Sequence, residues 1–259
     1  MTELPPYPSA HNLLEGKSVL VTAAAGAGIG FATARRAAEE GARLAIGDIH
    51  ERRLAEAAGQ LKDISGAMPV AVRCDVTVEE DVQRLFDAAV AEFGSLDVAV
   101  NNAGLGGTAT IVDMTDDQWN AVIDVSLTGT LRCTRAALRH MLPRRSGVIV
   151  NVSSVLGWRA QEGQAHYAAA KAGIMAITRT AAIEAASAGV RVNAVAPSLA
   201  MHPFLKKVMD EEVLEALVTR EAFGRAAEPW EVANVIVFLA SDYSSYMTGE
   251  IVSVSNQHP

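Results

Sequence analysis

Tyr167 and Lys171 stand four residues apart in QAHYAAAKAG, residues 164–173, a stretch otherwise built mostly of alanine. Side chains at that spacing on a helix share one face, so a phenol and an ammonium can address the same ligand. A free phenol, with a pKa of about 10, is only ~0.1% ionised at neutral pH and is a poor base. An ammonium held beside it favours the phenolate and turns it into a proton acceptor. Taken alone, the pair is more simply an interfacial tyrosine and a lysine whose stem covers apolar surface. Its weight comes from what lies upstream.

There, TAAAGAGIGFATARR follows an apolar, strand-like run and opens a helical one, with Gly26, Gly28, Ile29 and Gly30 at the turn. Glycines let the backbone turn tightly and approach a pyrophosphate, which the free N–H groups and dipole of a helix N-terminus attract. Asp48 ends the next strand-like run about twenty residues on, where a carboxylate accepts hydrogen bonds from adenosine ribose hydroxyls. That carboxylate repels a 2′-phosphate, and Ala27 rather than a basic residue precedes Gly28, so NAD is expected over NADP. Arg52 and Arg53, on the next helix, are the side chains that could reverse this preference. An ordinary tight turn and a strand-end cap are the alternatives to the nucleotide reading.

Such residues need a scaffold that gathers strand ends and helix starts. Strands are predicted at 18–23, 43–48, 69–75, 96–102, 147–153, 190–196 and 250–255, alternating with helices at 29–40, 51–62, 78–93, 116–142, 166–188 and 228–241. Right-handed crossovers then give an α/β fold, one doubly wound parallel sheet with helices on both faces. Residues 17–259 read as one domain. Before it, MTELPPYPSAHNLLEG (1–16) carries three prolines and no basic leader ahead of an apolar stretch, and is expected to be a flexible arm. The connection at 197–227 is too long for a plain loop and is expected to be a substrate lid.

The composition, 50% hydrophobic but only 5% aromatic, predicts an aliphatic, alanine-rich core. A net charge of −8 with no basic run longer than two residues argues against a nucleic-acid partner. No apolar run approaches the ~18 residues of a membrane span, and a cytoplasmic protein acting on a small molecule fits these totals. Cys74 and Cys133 have no His or second Cys at ligand spacing, so they read as buried thiols, and neither a metal site nor a disulfide is expected.

From residue 16 to about 255 the chain resembles the short-chain dehydrogenase/reductases. The landmarks come in order: the glycine-rich loop, Asp75 in CDV, NNAG at 101–104, Ser154, then Tyr167 thirteen residues later and Lys171 four beyond that. The resemblance implies a Rossmann-type seven-stranded sheet in the order 3-2-1-4-5-6-7. It implies NAD contacts at Gly26, Gly28, Ile29, Gly30, Asp48, Asp75, Val76, Asn102, Ala103, Gly104, Tyr167, Lys171 and Pro197. It also implies that the helices 116–142 and 166–188 pair across a two-fold axis in a homo-oligomer, a tetramer or a dimer. Ala168, Ala169, Ala172 and Ala176 would permit the close approach.

Several positions depart from the family pattern. Ala23 and Ala24 stand where the first glycine of the loop would fall, and Ser126, in VSLTG, takes the place of the usual Asn. Pro197-Ser198 replaces Pro-Gly, His202 stands where a Thr often touches the carboxamide of nicotinamide, and the tail reads SVSNQHP.

The implied reaction passes a hydride between a secondary alcohol or ketone and NAD(H). Tyr167 is the acid–base, its pKa expected to fall ~1–3 units beside Lys171 and an oxidised nicotinamide. Lys171 also holds the nicotinamide ribose, Ser154 hydrogen-bonds the substrate oxygen, and Ser126 either supports a water relay to Lys171 or is a plain structural serine. Trp158, Arg159, Gln161, Met201, His202, Phe204 and Leu205 are expected walls of a mostly apolar pocket. Lys206, Lys207 and Arg220 are candidates for the phosphates of a coenzyme A thioester. The sequence resembles actinobacterial members acting on hydroxyacyl-CoA or sterol-ring compounds. The rival expectation, motivated by the altered loop, the missing Asn and the tail, is a catalytically silent NAD-binding sensor.

Overall fold

The structure, a computed structural model, describes residues 3–201 and 211–256. Seven strands form one parallel sheet: β1 (Ser18–Thr22), β2 (Arg43–Asp48), β3 (Val70–Arg73), β4 (Val98–Asn101), β5 (Gly147–Val152), β6 (Val190–Pro197) and β7 (Ile251–Val254). Their order is β3-β2-β1-β4-β5-β6-β7, as the family resemblance implies. The reversal between β1 and β4 opens a crevice at the strands' carboxyl ends, where ligands of such sheets bind.

Alternation along β1 divides the core. Val19 and Val21 point to one face and Leu20 to the other. The first face packs α1 (Ile29–Glu39), α2 (Glu51–Ser65) and α8 (Pro229–Ala240), largely through alanines. The second packs α3 (Glu79–Phe93), α5 (Gly129–Arg144) and α6 (Ala165–Ala186). Cys74 and Cys133 lie buried and unbridged within that second layer.

Individual segments add detail to these expectations. The helix predicted at 116–142 is α4 (Asp116–Val122), a π-helical stretch Ile123–Thr128, and α5, which continues to Arg144 with Pro143 in its last turn. Buried positions recur every three or four residues through the π turn, at Val122, Ser126, Thr130, Cys133 and Ala137, so the periodicity reads straight through it.

Within the stretch expected to be a flexible arm, residues 7–14 pack against α1. Leu14 is fully buried, and the Glu40 carboxylate accepts the N–H groups of His11 and Leu13, each at 2.9 Å. The Arg36 guanidinium, paired with Glu40, donates to the carbonyls of Pro8 and Ser9. Tyr7 donates to Glu39 at 2.6 Å and meets Trp230 of α8 edge to face.

The expected lid holds α7 (Glu211–Arg220), and Ala200 bridges to Ala227 at its base. His202, Phe204, Leu205, Lys206 and Lys207 lie outside the described residues.

Candidate active site

The glycine loop joins β1 to α1. Gly28 caps α1 with no side-chain hydrogen bond and no acid in the first turn, which leaves the helix's first N–H groups to an external anion. Gly26 has φ +118, a conformation closed to other residues, and a Cβ on Gly30 would lie 2.2 Å from the Ala23 carbonyl oxygen and 2.4 Å from Asn102 Nδ2. Ala23 itself sits at φ +50, so the alanine in the family's glycine place keeps the left-handed turn.

Asn102 clamps this turn, donating from Nδ2 to the carbonyls of Thr22 and Ala23, while the Thr22 hydroxyl accepts from the backbone of Asn102 and Ala103. Asp48 reaches back from β2. Its carboxylate accepts the Ala25 N–H at 3.1 Å and the His50 N–H at 2.9 Å, and burial raises its pKa against the pull of the Ala25 bond and the Arg53 charge. Bare helix N–H groups, a side-chain-free approach and a carboxylate at the strand end fit a dinucleotide.

Other expected contacts scatter along the same edge. Asp75 caps its own turn, accepting from the N–H and hydroxyl of Thr77. Val76 is buried against Gly129, and Pro197 closes β6 opposite Val254. Ile29 is the first residue of α1.

Ser154, Tyr167 and Lys171 come together just beyond β5. Ser154 caps a short 3-10 turn, Val155–Gly157, accepting the Leu156 N–H at 3.2 Å, and its hydroxyl is hydrogen-bonded to the Tyr167 phenol. Lys171 is 3% exposed; its Nζ donates to the Val152 carbonyl at 2.8 Å and lies 5.4 Å from the centre of the Tyr167 ring. The Lys171 carbonyl in turn accepts the Ser153 hydroxyl at 2.8 Å, which ties the helix to the strand end.

Burial pulls the Lys171 pKa down to about 8. Burial also raises that of Tyr167, against the Ser154 hydrogen bond that lowers it. The fall expected for the phenol from its cationic neighbour is therefore not what the protein alone provides: burial raises the phenol, and the Ser154 hydrogen bond is what works against it.

Ser126, in the π segment, is fully buried. Its hydroxyl accepts the Leu105 N–H at 2.9 Å and donates to the Leu105 carbonyl at 3.1 Å, and so holds the chain that leaves NNAG. That chain, Gly104–Gly107, runs along the α6 face that carries Lys171, Tyr167 and His166. Its far end is fixed by Gln164, whose Nε2 donates to the Gly107 carbonyl at 2.8 Å. His166 Nδ1 accepts the Tyr167 N–H at 2.9 Å.

Sequence reading did not single out the buried amides beneath. Asn101 donates to Asn151 at 2.8 Å, and Asn151 donates to Thr178 of α6 at 2.9 Å. Their signal was present, since an Asn in a strand buried on both faces needs a partner. Of the expected pocket walls, Trp158 is 39% exposed just after the 3-10 turn. Arg159 and Arg220 already have partners in the fold. No group of three His, Cys, Asp or Glu gathers at metal-binding distance among the described residues, and none of the described helices is long and apolar enough to cross a membrane.

A family model described as enoyl-(acyl carrier protein) reductase matches residues 23–256. The chain belongs to the short-chain dehydrogenase/reductase family. Among its relatives is a protein of Mycobacterium tuberculosis named (5R,7aS)-5-hydroxy-7a-methyl-1-oxo-2,3,5,6,7,7a-hexahydro-1H-indene-carboxyl-CoA reductase, 61% identical over 96% of this chain and 95% of its own. Another is the cis-4-hydroxycyclohexanecarboxylate dehydrogenase of Sinomonas cyclohexanicum, 46% identical over 91% of this chain and 94% of its own. A crystal structure of a short-chain dehydrogenase from Mycobacterium smegmatis superposes with a TM-score of 0.88 at 56% identity, covering 99% of both chains. This dehydrogenase/reductase is thus an oxidoreductase of hydroxy and keto compounds, and the relatives give the silent-sensor alternative no support.

Proposed function

We propose that the protein interconverts a ring-borne secondary alcohol and its ketone, on a substrate carrying a carboxyl-CoA group, with NAD as the redox partner. The carrying observation is the Ser154–Tyr167–Lys171 cluster at the sheet's carboxyl edge, in a chain 61% identical to a reductase named for a bicyclic carboxyl-CoA. The dehydrogenase at 46% identity is named for a hydroxycyclohexane carboxylate, so a ring carbinol and a carboxyl carbon are common to both names.

In this reading the Ser154 hydroxyl holds the substrate oxygen, and Tyr167 takes the alcohol proton in oxidation or returns it in reduction. Bound nicotinamide supplies the two-electron acceptor or donor for the carbinol carbon. Gly26, Gly28, Ile29 and Gly30 would hold its pyrophosphate, Asp48 the adenosine ribose, Asp75 and Val76 the adenine side, and Asn102, Ala103, Gly104, Lys171 and Pro197 the nicotinamide half. Lys171 together with the oxidised nicotinamide would bias the phenol toward phenolate, against the burial that raises it, and Ser126 keeps Leu105 in register so that Gly104 stays beside Lys171 Nζ.

NAD over NADP is supported by the Asp48 carboxylate and by Ala27 in the loop. A homo-oligomer built on α5 and α6 is supported by Ala169, Ala172 and Ala176, which face outward from the monomer, and by Ile183 at 80% exposure. Free thiols at Cys74 and Cys133 suit a reducing, cytoplasmic setting.

The test is a steady-state assay of the purified protein with NAD and NADP against alicyclic hydroxyacyl-CoA thioesters, their free acids, steroids and sugars. Turnover with NAD on ring carbinol thioesters is expected. Activity confined to sugars, or to NADP, would overturn the corresponding half of the reading.

A further inference from the structure

Four residues after β4, Gly104-Leu105-Gly106-Gly107, cross directly over the catalytic cluster, and three of them lack a side chain. None of these glycines has φ in the left-handed range, so backbone conformation does not require them. Packing accounts for Gly107, where a Cβ would lie 3.1 Å from His166 Nε2, tighter than nine in ten real contacts, while a Cβ on Gly104 would meet the Lys171 Nζ cation at 3.4 Å.

Gly106 differs. A Cβ there would meet a single atom, Tyr167 Cδ2, at the ordinary van der Waals distance of 3.9 Å, with open space beyond. The protein's own fold therefore tolerates a side chain at the one position of this strap that stands against the edge of the phenol ring. Gly106 is also exposed, and the strap is fixed on both sides of it, by Ser126 at Leu105 and by Gln164 at Gly107, so it cannot swing away to make room for a larger group.

We infer that Gly106 sets the bulk admitted beside Tyr167: its missing side chain leaves the volume that a ring, rather than a linear chain, occupies next to the reacting carbinol. The inference rests on the ring-alcohol reading above and adds a residue to it. Each methyl group introduced at this point would displace substrate rather than protein, so the effect scales with the width of the substrate at the carbinol and not with its length.

The test compares wild type with Gly106→Ala and Gly106→Val on a bicyclic hydroxy carboxyl-CoA, a hydroxycyclohexane carboxyl-CoA and a linear 3-hydroxyacyl-CoA. Melting temperature and NAD affinity serve as controls. Expected are melting temperatures within 2 °C, NAD dissociation constants within twofold, and kcat/KM losses for Gly106→Val of at least 30-fold on the bicyclic substrate and under threefold on the linear one, with Ala between. Equal losses on all three substrates, or none on any, overturn the inference while leaving the ring-alcohol reading in place. A wild type that refuses both ring substrates sinks the reading and the inference together, and is seen without any variant. Should Val prove unstable, the same gradient must appear with Ala.

Discussion

Tyr167 and Lys171 show why a pair of side chains four apart does not by itself fix a pKa. The sequence places both on one face of α6, and the structure keeps them there, yet the surroundings that exclude water raise the phenol instead of lowering it. That sign depends on local dielectric, which no spacing reports.

Replacing Tyr167 with Phe removes the proton carrier and should lower kcat about 10²–10⁴-fold while NAD affinity, read by fluorescence titration, stays within a fewfold. Lys171 offers a thermodynamic check. Its folded pKa is about 8 against 10.5 for the free side chain, so the cost of burying its charge is fully present below pH 8 and relieved as pH rises through 10.5. Over that window wild type should gain roughly 3 kcal/mol relative to Lys171→Met in urea titrations. A difference that stays constant with pH would show that the amine is not buried as a cation.

The two thiols follow the same logic. Burial pushes Cys74 up to about 12 and Cys133 upward as well, so both should resist a thiol reagent at pH 8 in the folded protein and react only on unfolding. Ala23 is a balanced case: relief of its left-handed strain, about 1 kcal/mol, nearly cancels the entropy a glycine would bring, so Ala23→Gly should move the melting point little.

At the scale of elements, most boundaries were legible because the physics is local. Strand alternation and helical periodicity located all seven strands and the helices around them, with ends displaced by no more than three residues. Where periodicity carries no information, the reading failed. The π turn at Ile123–Thr128 preserves the spacing of buried positions of a continuous helix, but it is the turn that carries Ser126 to Leu105.

Ser126→Ala strips both backbone partners of that hydroxyl and should cost about 1–3 kcal/mol together with a drop in kcat, whereas Thr115→Ala, which removes the capping box of α4, should cost about 1 kcal/mol and leave catalysis alone. Parallel denaturation and rate measurements separate the two. The buried Asn101–Asn151–Thr178 chain was overlooked for a related reason: its members lie far apart in sequence, and only the pairing of β4 with β5 at Asn101 and Asn151 brings them into reach.

For the whole molecule, the sheet order followed from the resemblance and the alternation of elements, but the path of residues 3–16 did not. Prolines forecast that this segment lacks regular structure of its own, and nothing in its composition forecasts partners. Those partners, Arg36 and Glu40, stand at the i, i+4 spacing common to surface ion pairs, yet they are 4% and 0% exposed. Removing one member of a buried pair is expensive, so Glu40→Ala should cost about 3–5 kcal/mol in urea denaturation, far more than the exposed Arg52–Glu56 pair at about 0–1 kcal/mol.

The same seam carries a practical consequence. An expression vector that starts the protein after residue 13 would strip the cover from the Arg36–Glu40 pair and remove two amide donors of its carboxylate and two carbonyl acceptors of its guanidinium. The shortened protein should melt at a lower temperature and give less soluble material than the full chain.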